Sequence, residues 1–191
     1  VTGKPGAGKT LYMTYKALEM FLKGHDVYAN WKLNFTPYVI KKKVDLKKVG
    51  RVYFWSEIPE LLHIKGGQIF IDEAQGYFDS REWQDMPPSA KQKFSAHRHD
   101  VRKDKDGNTI PLDIYAGVQH TGNIDKRIRD LGQHFLEIRN VFKKVFMASH
   151  FELHDLKDDN VKRRAIKRSF FLMNKLKANC YNCLLYTSDA A

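Results

Sequence analysis

Residues 3–10 read Gly-Lys-Pro-Gly-Ala-Gly-Lys-Thr, a glycine followed after four residues by Gly-Lys-Thr. That spacing belongs to a phosphate-binding loop. Gly3, Gly6 and Gly8 allow the backbone to wrap closely, so that successive amide N–H groups and the start of the next helix face an anion. Lys4, Pro5 and Ala7 complete the wrap. Lys9 is expected to reach the β- and γ-phosphates of a nucleotide, and the Thr10 hydroxyl to take a place on Mg²⁺. Triphosphate hydrolysis also needs an acid at the end of a buried strand. Ile69-Phe70-Ile71 followed by Asp72-Glu73 supplies a pair of them. Asp72 is expected to hold the water shell of Mg²⁺, and Glu73 to orient and deprotonate the attacking water. The acid pair says little alone, but with the loop about sixty residues upstream it becomes strong, and the two motifs confirm each other.

Elements of defined kinds must hold these residues in place. Leu11, Tyr15, Leu18 and Phe21 or Leu22 recur at helical spacing and Gly24 ends the run, which predicts a helix launched from the loop. Residues 26–30 (DVYAN) and 51–55 (RVYFW) read as short strands, with Ser56 capping a helical turn through Leu62. The basic stretch between those strands, containing Pro37, reads as a surface excursion. Residues 66–75 (GGQIFIDEAQ) predict a buried strand, 87–100 a polar helix, 101–111 a turn-rich loop around Asp106-Gly107, and 112–119 (LDIYAGVQ) another buried strand. A short helix over NIDKRIRDL follows, and the remainder alternates as antiparallel strands do. The fold class expected is α/β: a P-loop NTPase three-layer α/β/α sandwich with a mostly parallel central sheet and a C-terminal antiparallel extension.

A chain of 191 residues, 42% apolar, is expected to form one globular domain, here over residues 1–179. No apolar run approaches the roughly 18–20 residues that cross a bilayer. Two cysteines and the lack of a secretory leader point to a reducing, cytoplasmic compartment. Val1-Thr2 reads as the remnant of the strand that feeds the loop, so the first strand is expected to be truncated. Residues 183–191 (CLLYTSDAA) resemble a translated sequencing adaptor and are expected to be non-native. Without them, Cys180, Cys183, His150 and His154 make no zinc site, and their spacing matches no common finger. The formal charge of +11 concentrates in Lys41, Lys42, Lys43, Lys47, Lys48 and Arg51 and again in Lys162, Arg163, Arg164, Lys167 and Arg168. Such patches attract DNA, RNA or anionic lipid headgroups, or are simply solvated; no nucleic-acid motif accompanies them.

In this order, VTGKPGAGKTLYM, IFIDEAQGYFDSR, HRHD and LDIYAGVQHTGNIDKRIRDL resemble the Zot (zonula occludens toxin) family, which includes the assembly ATPase of filamentous bacteriophages. The resemblance runs to about Lys177, and the loop between Val101 and Pro111 departs from it by being longer and more charged. It implies that Gln119 lies beside the strand bearing Asp72 and senses the γ-phosphate or positions water. It also implies that Arg98, and less strongly Arg129, is an arginine finger. ATP is implied over GTP by the same resemblance, and no Asn-Lys-x-Asp guanine-reading segment occurs. The implied role is a motor domain for virion extrusion on the cytoplasmic face of the bacterial host inner membrane. Its implied partners are a homo-oligomer, phage coat and assembly proteins, single-stranded DNA, and the membrane through a segment absent from this chain. Two alternatives come from other classes: a DNA-translocating or packaging ATPase that binds DNA directly, and a toxin or interaction module without ATPase activity.

Overall fold

The computed structural model describes residues 1–104, 107–151 and 165–181. Its contacts divide the chain into two compact units. The first comprises Val1–Thr10, Glu73–Ala96 and Ala116–Met173, and the second Leu11–Asp72, His97–Tyr115 and Asn174–Ala191. Cys183, His154, the basic residues 162–164, Asp106 and the adaptor-like 183–191 tail lie outside the described residues.

The second unit is built on a sheet. β1 (Val27–Ala29), β2 (Val52–Phe54), β3 (Gly67–Ile71) and β6 (Leu112–Ala116) lie in the order β2-β1-β3-β6, and β1 is parallel to both neighbours. All five residues of β3 are buried, as befits a central parallel strand covered on both faces. Helix α1 (Lys9–Leu22) starts at the glycine loop and, within this unit, buries Leu11, Met13, Ala17, Leu18 and Phe21. Leu11, Leu18 and Phe21 belong to the expected stripe, whereas Tyr15 and Leu22 are only half-buried and Met13 and Ala17 complete the buried face. Phe70 stacks on Tyr115 at 4.5 Å between ring centroids, joining β3 to β6.

Three details of this unit differ from the sequence reading. The excursion between β1 and β2 contains a helix, α2 (Thr36–Lys42), which buries Val39 next to the buried Phe35. It closes in a Schellman motif, with Lys43 at φ +51 donating its N–H to Ile40 and Val44 donating to the Val39 carbonyl. The cap of α3 (Ile58–Leu61) is Glu57 rather than Ser56, because the Glu60 carboxylate gathers the N–H groups of both Ser56 and Glu57. The charged 101–111 stretch forms a two-stranded hairpin of β4 (Arg102–Lys103) and β5 (Thr109–Ile110), and its Arg102 pairs with the buried Asp26.

The first unit holds the glycine loop, the helices α4 (Gln75–Phe78), α5 (Ser80–Asp85), α6 (Pro88–Ala96) and α7 (Lys126–Asp130), and an antiparallel meander. The meander runs β7 (Phe135–Phe142), β8 (Val145–Phe151) and β9 (Lys167–Leu172). Phe78 meets Phe94 edge-on at 4.9 Å to hold α4 against α6, and Ile138, Phe146, Ala148 and Phe151 give the meander a buried face. Thr2 bridges Val118 on one side and Glu137 on the other, both in parallel. The strand expected over 112–119 therefore has two parts. It pairs in the sheet as far as Ala116, and Val118 then takes Thr2 as its partner.

Candidate functional site

The glycine loop has the backbone its residues allow. Gly3, Gly6 and Gly8 sit at φ +155, +72 and +92, the region where a side chain is strained. The Ala7 N–H donates to the Lys4 carbonyl at 3.1 Å and closes the turn. Crowding separates the three glycines. A Cβ on Gly3 would stand 2.5 Å from the Ile138 carbonyl oxygen, and one on Gly8 would stand 2.6 Å from the Phe146 ring, whereas one on Gly6 would meet nothing within 4 Å. β7 and β8 thus support the loop from behind at Gly3 and Gly8. Gly6 belongs to the exposed front, where a phosphate could lie close to the backbone.

Lys9 is 6% exposed. Its Nζ donates to the carbonyls of Gly3 at 3.0 Å and Lys4 at 3.4 Å, and among the described residues no carboxylate pairs with it. A buried ammonium satisfied only by carbonyls is poorly compensated and favours an anion. Thr10 is half-buried in the first turn of α1. The loop is also tied into the molecule by Thr2. Its backbone exchanges hydrogen bonds with Leu136 and Ile138, and its hydroxyl donates to the Gln119 carbonyl at 3.1 Å.

Glu73 follows β3 with φ +50, and among the described residues it and Lys43 are the non-glycine residues at positive φ. Its exposed carboxylate accepts from the side-chain amide of Gln75, and Gln119 Nε2 lies 3.4 Å from the same Oε2. The first unit therefore brings together the glycine loop, Glu73 and Gln119. Arg129 is in that unit too, donating to the Thr121 carbonyl at 3.3 Å from a half-buried position on α7. Asp72 and Arg98 are in the second unit. Arg98 is exposed on the 3₁₀ turn His97–His99. Asp72 is half-buried at the end of β3, where the Asn30 side chain grips its backbone at both ends. Asn30 Oδ1 accepts the Asp72 N–H at 2.7 Å, and Asn30 Nδ2 donates to the Asp72 carbonyl at 2.8 Å.

That grip was missed from the sequence. The available signal was a carboxamide closing the short strand beside the acid-bearing one. The described residues contain no group of three or more His, Cys, Asp or Glu side chains able to hold a metal. Thr10 in the first unit and Asp72 in the second each carry a hard oxygen donor of the kind Mg²⁺ takes. Cys180 is buried, and burial pushes its thiol up to about 11, away from the thiolate a zinc ion would need.

The family model described as zonular occludens toxin (Zot) matches residues 1–191. The chain belongs to the Zot family. Its fold is similar to the N-terminal domain of zonular occludens toxin from Neisseria meningitidis, at 20% identity, covering 95% of this chain and 96% of that one with a TM-score of 0.62. It is also similar to the genome packaging NTPase B204 from Sulfolobus turreted icosahedral virus 2 in complex with ATP-gammaS. There the identity is 11%, the coverage 88% and 93%, and the TM-score 0.50. B204, described as the DNA-packaging ATPase from Sulfolobus Turreted Icosahedral Virus, matches at 12% identity over 91% and 96% of the chains with a TM-score of 0.53. No curated protein sequence matches. At these identities the likeness is one of fold, and this Zot domain has the α/β fold of P-loop NTPases with an antiparallel C-terminal sheet. No helix among the described residues is long and apolar enough to cross a membrane.

Proposed function

We propose that this Zot domain binds and hydrolyses ATP as the motor of a filamentous phage assembly protein, driving virion extrusion at the host inner membrane. The observation that carries the ATPase reading is Lys9, a buried ammonium held by two loop carbonyls and by no carboxylate. A triphosphate in the loop gives that charge its counter-charge, and Lys9 then leaves the Gly3 and Lys4 carbonyls for the β- and γ-phosphates. The backbone of Gly3–Thr10 cradles the phosphate chain. Thr10 and Asp72 would be the residues to hold Mg²⁺, which when bound would supply charge neutralisation for phosphoryl transfer.

Glu73 takes the proton of the water that attacks the γ-phosphorus, while the bond from that phosphorus to the β–γ bridging oxygen breaks and ADP leaves with that oxygen. Gln119, 3.4 Å from the Glu73 carboxylate, orients the same water. Arg98 is exposed, so it is available to stabilise the transition state from a neighbouring subunit. The phage role and the preference for ATP rest on the family likeness, and the ATP analogues bound by B204 are consistent with that preference.

Lys9→Ala tests the reading. Binding of a fluorescent ATP analogue should weaken by at least about tenfold and hydrolysis should disappear, with the circular dichroism of the fold retained. Unchanged hydrolysis by the folded variant would overturn the assignment. A second reading, a motor acting on DNA directly, is favoured by the fold shared with B204. It predicts hydrolysis stimulated by DNA and lost steeply as salt rises.

A further inference from the structure

The last turn of α2 and the loop that follows it are tied by backbone hydrogen bonds and are of unusual composition. Residues 40–51 carry six basic side chains and one acid, Asp45, a net of +5. Lys41, Lys42, Lys43, Lys47, Lys48 and Arg51 are all exposed. Among the described residues none of the five lysines pairs with a carboxylate. Two large apolar side chains stand among them, Ile40 and Leu46, each 70% exposed.

The backbone here is fixed. The Schellman closure at Lys43 and Val44 reverses the chain, Asp45 Oδ1 then accepts the Lys47 N–H at 3.0 Å, and the Gly50 N–H returns to the Phe21 carbonyl at 2.9 Å. Ile40 and Leu46 thus stand exposed on a projection tied by backbone hydrogen bonds, outside the core.

We infer that the projection formed by residues 40–48 docks on an anionic lipid surface, the lysines meeting headgroup charge and Ile40 and Leu46 entering the interfacial region. Exposed apolar side chains occur singly on any protein, but a pair enclosed by unpaired lysines has the composition of an interfacial anchor. Lysine suits that position because its long stem reaches the headgroups while an apolar neighbour is buried. Single-stranded nucleic acid would also meet the charge, but it is held by aromatic stacking, and residues 40–48 contain no aromatic side chain. The inference goes beyond the proposed motor role and does not depend on the glycine loop.

Co-sedimentation of the 191-residue chain with vesicles of phosphatidylcholine, alone or mixed with phosphatidylglycerol, tests it. Binding is expected to the mixed vesicles only. Replacing Lys41, Lys42 and Lys43 together by glutamine should weaken it on the order of a hundredfold. Ile40→Ser with Leu46→Ser, which leaves every charge in place, should weaken it on the order of tenfold. Both sets of side chains are exposed, so ATP hydrolysis without vesicles should be unchanged in each variant; a failed glycine-loop assignment would appear there instead. Equal binding to both vesicle types, no binding to either, or full binding by the Ile40/Leu46 variant would overturn the inference. So would a single-stranded oligonucleotide that binds the chain and displaces the mixed vesicles while tolerating the loss of both apolar side chains, which would assign the projection to nucleic acid.

Discussion

Glu73 occupies a backbone conformation that costs a residue with a side chain about 1–2 kcal/mol, and such strain gathers at sites where geometry is used. The neighbouring Asp72, gripped at both backbone ends by Asn30, anchors the turn at which the chain leaves β3, so the carboxylate of Glu73 projects from a fixed point. Its hydrogen bonds with Gln75 and Gln119 suit a group that holds a water and takes its proton. Glu73→Gln keeps the shape and removes the base, so nucleotide should remain bound while hydrolysis falls by roughly a hundredfold or more. Equilibrium binding and single-turnover kinetics read the two separately. A parallel loss of both would make Glu73 a structural residue or a metal ligand. Lys9 and Glu73 were legible in the sequence as candidates because local spacing carries them. Asn30 was not, because the contact joins residues 42 positions apart and nothing in the composition of either segment announces it.

Among elements, the closest support of the glycine loop comes from the meander. The buried Phe146 lies against Gly8 and stacks on Phe171 at 5.2 Å, so β8 and β9 brace the loop through one aromatic pair. Gly8→Ala combines backbone strain of about 1–2 kcal/mol with overpacking of about 1–3 kcal/mol, whereas Gly6→Ala meets open space and brings the strain alone. Urea denaturation should therefore find Gly8→Ala the more destabilised by at least about 1 kcal/mol, with part of the difference recovered by Phe146→Leu. Equal losses would mean that β8 does not brace the loop. The strand and helix order was largely readable: α1 from its 3.6-residue stripe, β3 from a short apolar run ending in acids, and the meander from alternation. α2 was missed because its sequence is basic and contains proline, and it owes its helix to the burial of Phe35 and Val39 rather than to local preference. β6 was drawn too long because the change of partner from β3 to Thr2 depends on tertiary pairing.

At the scale of the molecule, the residues proposed to act on the nucleotide are shared between two units, with the glycine loop, Glu73 and Gln119 in one and Asp72 and Arg98 in the other. If exposed Arg98 serves a neighbour's site, activity per subunit should rise with protein concentration. Mixing Arg98→Ala with Lys9→Ala subunits should also restore some turnover, since the first keeps an intact loop and the second donates the arginine. Steady-state hydrolysis of the mixture reads this directly; concentration-independent activity with no rescue would return Arg98 to its own subunit or to the surface. The bracing of the loop has a consequence for how such a chain is made. The loop is synthesised well before its supports: Thr2 is held by Gln119, 117 positions later, and Gly8 rests on Phe146 beyond that. Contacts of such long sequence separation form late. The nascent chain therefore carries an unshaped glycine loop until β8 is synthesised, so under the proposed ATPase reading an unfinished or prematurely terminated product would spend no cellular ATP.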